Sequence, residues 1–290
     1  MASTVGLIAL IEAVPEQPCI DAAWLDRELR SRWSLPACAA PSAAEAAHEA
    51  DPNPGPKATI EAWAVATVSG NETLVQSRPR VVSDSACFLD DLLRPRTRCT
   101  IGAYSVAPEG SRPATIPVPR YHRWVGFATG TGTARASEVA RTLCQSLPPF
   151  LQRARGQHER DCPLFFAFLG CLHGAGGLGQ RYPEPAEVRA ALRDLNDQLG
   201  EAGSDANLMV TDGRSFAVLH RCRAFALTSL GEPAGRSSRP GSGPVLAGRH
   251  TPAASVLILS ETDAEPTARR LARGVFSIDL DAPDEVVHDA

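Results

Sequence analysis

The alternation of apolar and polar positions divides the chain into short strands and amphipathic helices. TVGLIALI at 4–11 is apolar and β-branched enough for a buried strand. Residues 20–32 carry apolar positions at helical spacing and predict a short helix. EAWAVATV and TLVQSRPRVV flank an SGNE turn and predict a β-hairpin. DSACFLDDLLR at 84–94 predicts a helix capped by Asp84. CTIGAYSVA predicts another buried strand, the Pro/Gly/Ser-rich stretch 107–120 a loop, and WVGFATGTG a strand running out into glycines. Helical spacing returns over 136–154, interrupted at Pro148 and Pro149.

LFFAFLGCLH follows Asp161-Cys162-Pro163, where Pro163 suits a first helical turn and Asp161 an N-cap. Directly after it comes GAGGLG, in which Gly174, Gly176 and Gly179 fit the G-x-G-x-x-G spacing of a dinucleotide-binding turn. Such a turn needs a strand before the glycines and a helix opened by them. Here a helix precedes and QRYPEP follows, so the glycines predict a helix C-terminus, where Gly is the preferred C′ residue. The next helix starts near Pro185. ANLMVTDG and RSFAVLHRC form an antiparallel hairpin around Asp212-Gly213. ASVLILSE and GVFSIDLD are two closing strands. Hairpins at both ends of the chain, with helices between, predict a layered α+β fold rather than a doubly wound sheet. Residues 36–56 and 231–252, rich in Ala, Pro, Gly and Ser, are expected to be flexible loops of a single domain over 1–290.

Composition narrows the function classes. The chain has 290 residues, 43% hydrophobic and 21% charged, with net charge −4 and pI about 6.0. That balance carries no footprint for nucleic acid or an anionic membrane, and no apolar run approaches the roughly 20 residues that span a bilayer. MASTVGLIAL has no basic region ahead of its apolar run, so a secretory leader is not expected and the cytoplasm is the expected location. The eight cysteines include no C-x-x-C pair and the seven histidines no H-E-x-x-H, so reduced thiols, no metal site and no cofactor are expected.

Several fragments, in order, resemble the class II glutamine amidotransferases, N-terminal-nucleophile enzymes, and most closely the branch of ergothioneine biosynthesis. Met1-Ala2-Ser3-Thr4-Val5-Gly6 resembles the family's Met-Cys-Arg-Leu-Leu-Gly start, and Glu61-Ala62-Trp63-Ala64-Val65-Ala66 its Asp-Gly-Trp-Gly-Ile-Ala strand. Ser77-Arg78-Pro79 and Ser83-Asp84 follow at the family's spacing. Arg123-Trp124 through Gly130 is similar to the Arg-Trp-x-x-x-His-Asn-Gly strand, and Asp161-Cys162-Pro163 to Asp-Ser-Glu. Asn207 through Gly213 resembles Asn-Leu-Leu-Leu-Thr-Asp-Gly, and Ser260-Glu261 the closing Ser-Glu-Pro. The resemblance covers nearly the whole chain and implies a four-layer αββα sandwich of two antiparallel sheets.

The resemblance also implies which residues would line the pocket. The family's nucleophilic cysteine falls on Ala2, whose methyl group can neither attack a carbonyl nor hold an acyl intermediate. The arginine for the substrate carboxylate falls in Ala103-Tyr104-Ser105-Val106, so Tyr104 and Ser105 stand where a cation is expected. The oxyanion-hole Asn-Gly becomes Thr129-Gly130; loss of one such donor costs about 10²–10³ in rate. Asp161 matches the aspartate that holds the substrate ammonium. Ala2, Tyr104, Ser105, Thr129, Gly130 and Asp161 are therefore a degenerate pocket with no catalytic residue. Trp63 and Trp124 are expected in the core, Asp161 as a helix cap, and His173 against the end of its helix. Cys162 and Cys171 have no His-Asp partner that the sequence can place beside them.

The reading that follows is a catalytically inactive amidotransferase-like protein acting as a binding or scaffolding module. Its expected partners are an unidentified protein, a second copy of the chain and a weakly held amino acid, with no nucleic acid and no membrane. Two alternatives keep catalysis: an engineered Cys-to-Ala change at position 2, or trimming that exposes Ser3 or Thr4 as a new nucleophile.

Overall fold

The structure is a computed structural model that describes residues 4–12, 23, 25, 58–69, 72–79, 85–95, 97–108, 116–129, 134–157, 162–179, 181–200, 206–221, 225–230, 254–259, 269–271, 274–281 and 286–289. Both expected flexible loops, Asp84, and all of the 20–32 helix except Ala23 and Leu25 lie outside the described residues.

Two antiparallel sheets stack face to face. The first has seven strands in the order β11(Arg269–Leu271), β9(Phe225–Leu230), β10(Ala254–Leu259), β1(Thr4–Glu12), β4(Cys99–Pro108), β2(Ala58–Ser69), β3(Glu72–Pro79). The second has six, in the order β13(Val286–Asp289), β12(Gly274–Asp279), β8(Ser215–His220), β7(Asn207–Thr211), β6(Trp124–Thr129), β5(Arg120–Tyr121). β1 lies between β10 and β4, so a strand at residues 4–12 pairs with one at 254–259 in the same sheet. The hairpins expected at 61–82 and around Asp212-Gly213 are β2–β3 and β7–β8. The sequence pattern does not reveal β5, β9, β11 or β13.

Strand alternation sorts the side chains into three apolar layers. On the inner face of the first sheet, Leu7, Ala9, Ala64, Val68, Ile101 and Ala103 meet Val125, Phe127, Met209, Phe216, Val218 and Phe276 of the second. The outer face of the first sheet is covered by α1(Ser85–Leu93): Phe88 packs 5.9 Å from Trp63 and 5.4 Å from Tyr104, between ring centroids. The outer face of the second sheet is covered by α2(Ala134–Gln145), α3(Pro149–Gly156), α4(Pro163–Gly174) and α5(Pro185–Leu199). This is the expected four-layer α+β sandwich. Trp63 and Trp124 are both core residues, on opposite outer faces; Trp124 stacks edge-on against Phe168 of α4 at 5.3 Å.

α4 is apolar nearly all round because it lies between the second sheet and its sister helices. Its N-cap is Cys162, with no side-chain cap bond, rather than Asp161: Pro163 occupies the first helical position, one residue too early for Asp161 to cap it. Its C-terminus is a Schellman motif. Gly176, at φ +80°, donates its N–H to the His173 carbonyl, and Gly177 donates to Leu172, both at 2.9 Å. GAGGLG is thus a helix stop. α5 begins with a capping box, in which Glu187 accepts the Glu184 N–H at 2.8 Å. Among the described residues no helix is long and apolar enough to cross a membrane.

Candidate functional site

The inner layer has two polar ends. One is fixed by the β7–β8 turn. Asp212 is fully buried and its Oδ1 accepts the N–H groups of Ser215 (2.7 Å) and Arg214 (3.0 Å), while Arg123 Nε stands 3.9 Å from Oδ2. Burial pushes the Asp212 carboxyl above its usual range; the two N–H groups and the Arg123 charge oppose that shift. The guanidinium groups of Arg123 and Arg214 each lie over the Tyr182 ring, at 4.0 and 4.1 Å. Cys99 bonds to the Thr211 side chain at this end. Its thiol is pushed up to about 12, chiefly by burial and further by Asp212, so it is no nucleophile. These contacts anchor the turn, with Asp212 Oδ2 buried and its nearest charge the Arg123 guanidinium.

From that anchor β4 and β7 run away together, since face-packed sheets keep their strand directions within about 30°. Cys99 marks the near end of β4 and Ser105 lies toward its far end; Thr211 marks the near end of β7 and Asn207 its far end. On the second sheet the far end carries a row across three neighbouring strands. Thr129 on β6 is opposite Asn207 on β7, which is opposite His220 on β8, and all three are buried. By alternation they face the inner layer along with Phe127, Met209 and Val218, where every other inward position on these strands except Thr211 is apolar. Asn207 Nδ2 donates to Thr129 Oγ1 at 3.2 Å, and Asn207 Oδ1 accepts the Arg221 N–H at 3.0 Å.

Across the layer, Ser105 presents a fully buried hydroxyl with no hydrogen-bond partner among the described residues. Its neighbour on β2 is Ala62, where the β2–β4 register shifts between Ile60 and Ala62. Such bulges are over-represented at sheet edges and next to active sites, and β2 and β4 are both interior strands. Burying a polar group costs unless it is hydrogen-bonded; Asn207 bonds Thr129 and the Arg221 N–H, whereas Ser105 Oγ has no partner among the described residues.

Of the six residues expected to line the pocket, Thr129 is buried in this row and Ser105 is buried on the inner face of β4. Tyr104 is turned to the opposite face, where it packs under α1 against Phe88, because adjacent strand residues point to opposite sides of a sheet. Ala2, Gly130 and Asp161 lie outside the described residues. His173 is exposed, with its ring 5.3 Å edge-on to Phe150. Cys162 is buried at the start of α4. Cys171 is half-buried, its thiol pushed up to about 12 by burial and by Asp194, which removes it as a nucleophile. Asn207 and His220 were not singled out by sequence reasoning. The signal was present: once Asp212-Gly213 is the turn, the hairpin register places position 207 opposite 220. Among the described residues no group of His, Cys, Asp and Glu is placed to hold a metal ion.

The sequence matches no protein-family profile and no curated protein. Among solved structures it is similar to a glutamine aminotransferase class-II domain protein from Silicibacter pomeroyi, with TM-score 0.39, 11% identity, and coverage of 76% of this chain and 88% of that one. It is similar to a protein described as a predicted glutamine amidotransferase from Pseudomonas aeruginosa PA01, at TM-score 0.42 and 13% identity over 99% of this chain and 100% of that one. It is also similar to the glutamine phosphoribosylpyrophosphate amidotransferase of B. subtilis, at TM-score 0.42 and 9% identity over 94% of this chain, and spans 47% of that chain's length. These identities are too low to align residues of the site.

Proposed function

We propose that the chain is a class II glutamine amidotransferase-like protein, nearest the ergothioneine-biosynthesis branch, that has lost amide hydrolysis and works as a protein-binding or scaffolding module. The observation that carries this reading is the chemistry of the far end of the inner layer. Its described side chains are two hydroxyls, one carboxamide and one imidazole: Ser105, Thr129, Asn207 and His220. Among the described residues that end holds no thiol to attack an amide and no guanidinium to hold a substrate carboxylate. Ser105 stands in the stretch where the resemblance expects an arginine, Thr129 where it expects an oxyanion-hole asparagine, and Ala2 where it expects the nucleophile.

A module of this kind works through binding, with an unidentified protein as partner and self-association as an additional mode. The test is glutaminase turnover. Purified protein incubated with glutamine is expected to release glutamate and ammonia no faster than buffer, and release that scales with protein concentration overturns the reading.

A further inference from the structure

We infer that the free edge of β3 is a self-association surface, on which a second copy of the chain adds its own β3 antiparallel, so that two seven-stranded sheets become one. The inference rests on the reading above only in taking the chain to self-associate; it does not depend on the loss of catalysis.

The edges of the two sheets differ in kind. β5, β11 and β13 have two, three and four residues and carry Arg120, Arg269 with Arg270, and Asp289. Short length and charge are the means by which edge strands avoid further pairing. β3 has eight residues, ETLVQSRP, with no charge between Glu72 and Arg78. Among the described residues it pairs only with β2. Its Leu74 is 57% exposed, more than any other large apolar side chain among the described residues. An edge of that length and character is a template for another strand.

The occupant follows from the strand's own register. Ser69 and Glu72 partner across a two-residue connection, and the pair closing such a hairpin exchanges its backbone bonds. Bonding toward β2 therefore falls on Glu72, Leu74, Gln76 and Arg78, and the N–H and C=O groups of Thr73, Val75 and Ser77 point outward. Pro79, which has no N–H to offer, falls on an outward position, where an edge strand tolerates proline. Only one antiparallel register between two copies uses all three outward residues, with Val75 opposite Val75 and Thr73 opposite Ser77. The same register sets Glu72 opposite Arg78 of the second copy, at both ends by two-fold symmetry. The strand is thus complementary in charge to its own reverse. Leu74 meets Gln76 there in a non-hydrogen-bonded pair, where side chains come closest. A two-fold contact of this kind closes on itself and leaves neither copy with a long open edge.

The experiment uses the full chain, its mass read by sedimentation equilibrium and native mass spectrometry up to about 0.1 mM at low salt. The unaltered chain is expected to form a dimer and nothing larger. Ser77→Pro removes an outward N–H while sparing the bonds to β2, and should weaken the dimer roughly tenfold or more. Glu72→Arg and Arg78→Glu each set like charges opposite one another and should each weaken it by roughly tenfold. Mixing those two variants should give a mixed dimer within about threefold of the unaltered affinity, because every charge again meets its opposite. A monomer at the highest concentration overturns the inference and leaves the edge to a strand of a different protein. Assembly beyond two copies, a dimer indifferent to Ser77→Pro or to both charge reversals, or a mixture no tighter than its components each overturns it as well. Should Ser77→Pro not fold, the charge exchange decides alone. Glutamine turnover would remove the inactive-module reading and leave the dimer standing, whereas a monomer removes the dimer and leaves that reading with its protein partner.

Discussion

Gly213 ties the two sheets together, and replacing it by alanine separates two costs that usually arrive mixed. The residue sits in the β7–β8 turn at φ +85°, a left-handed conformation that costs an L-residue about 1–2 kcal/mol. A Cβ added there would also lie 2.8 Å from Val68 Cγ1, 3.0 Å from Val68 Cβ and 3.3 Å from the Val68 carbonyl oxygen, in the opposite sheet. Rotating the valine relieves the first contact but not the other two, so the strand itself must shift, an overpacking cost of about 1–3 kcal/mol. Gly176 provides the control, because its φ is +80° and nothing lies within 4 Å of its added Cβ. Equilibrium unfolding in urea should therefore show Gly176→Ala losing about 1–2 kcal/mol and Gly213→Ala about 2–5 kcal/mol. Combining Gly213→Ala with Val68→Ala should return part of the difference, read as a favourable coupling in the double-mutant cycle. If Gly213→Ala costs no more than Gly176→Ala, the turn does not touch the other sheet and the anchored end described above is wrong.

Two further outcomes test other parts of the structure. The Glu187 carboxylate is held below its ordinary range, first by the Arg181 hydrogen bond and then by the Glu184 N–H. A carboxyl with a lowered folded-state pKa stabilises the fold above its unfolded value and loses that contribution as pH falls through the folded one. Glu187→Ala should therefore cost about 1 kcal/mol near neutral pH, as a lost cap does, and progressively less below pH 4.5; a cost that stays constant with pH in urea titrations would contradict the assignment. With its thiol raised to about 12 and fully buried, Cys99 should escape iodoacetamide in the native state and react only after denaturation. Peptide mass spectrometry that finds Cys99 alkylated in folded protein would show that the inner layer opens at that end.

The amino-acid sequence by itself determined what is settled within a few residues of each position. Hydrophobic period and turn chemistry are local, so the β2–β3 and β7–β8 hairpins, the break between α2 and α3, the start of α5 and the burial of Trp63 and Trp124 were all legible. GAGGLG could likewise be read as a helix stop, because the preceding apolar helix and the following QRYPEP exclude a dinucleotide turn without any tertiary information. The short edge strands β5, β11 and β13 were not legible, since two to four residues carry too little pattern and exist as strands only by pairing with a distant neighbour. The cap at Cys162 turned on a single residue of offset that composition does not fix. The face of β4 was decided by packing in the same way: Tyr104 and Ser105 are both compatible with a strand, and only the docking of α1 on one side and the second sheet on the other sends the tyrosine outward and the serine inward. The row Thr129–Asn207–His220 joins positions far apart in the chain, and its placement opposite Ser105 depends on how two sheets stack. Local physical chemistry writes the elements, whereas the site exists only where non-local pairing brings their ends together.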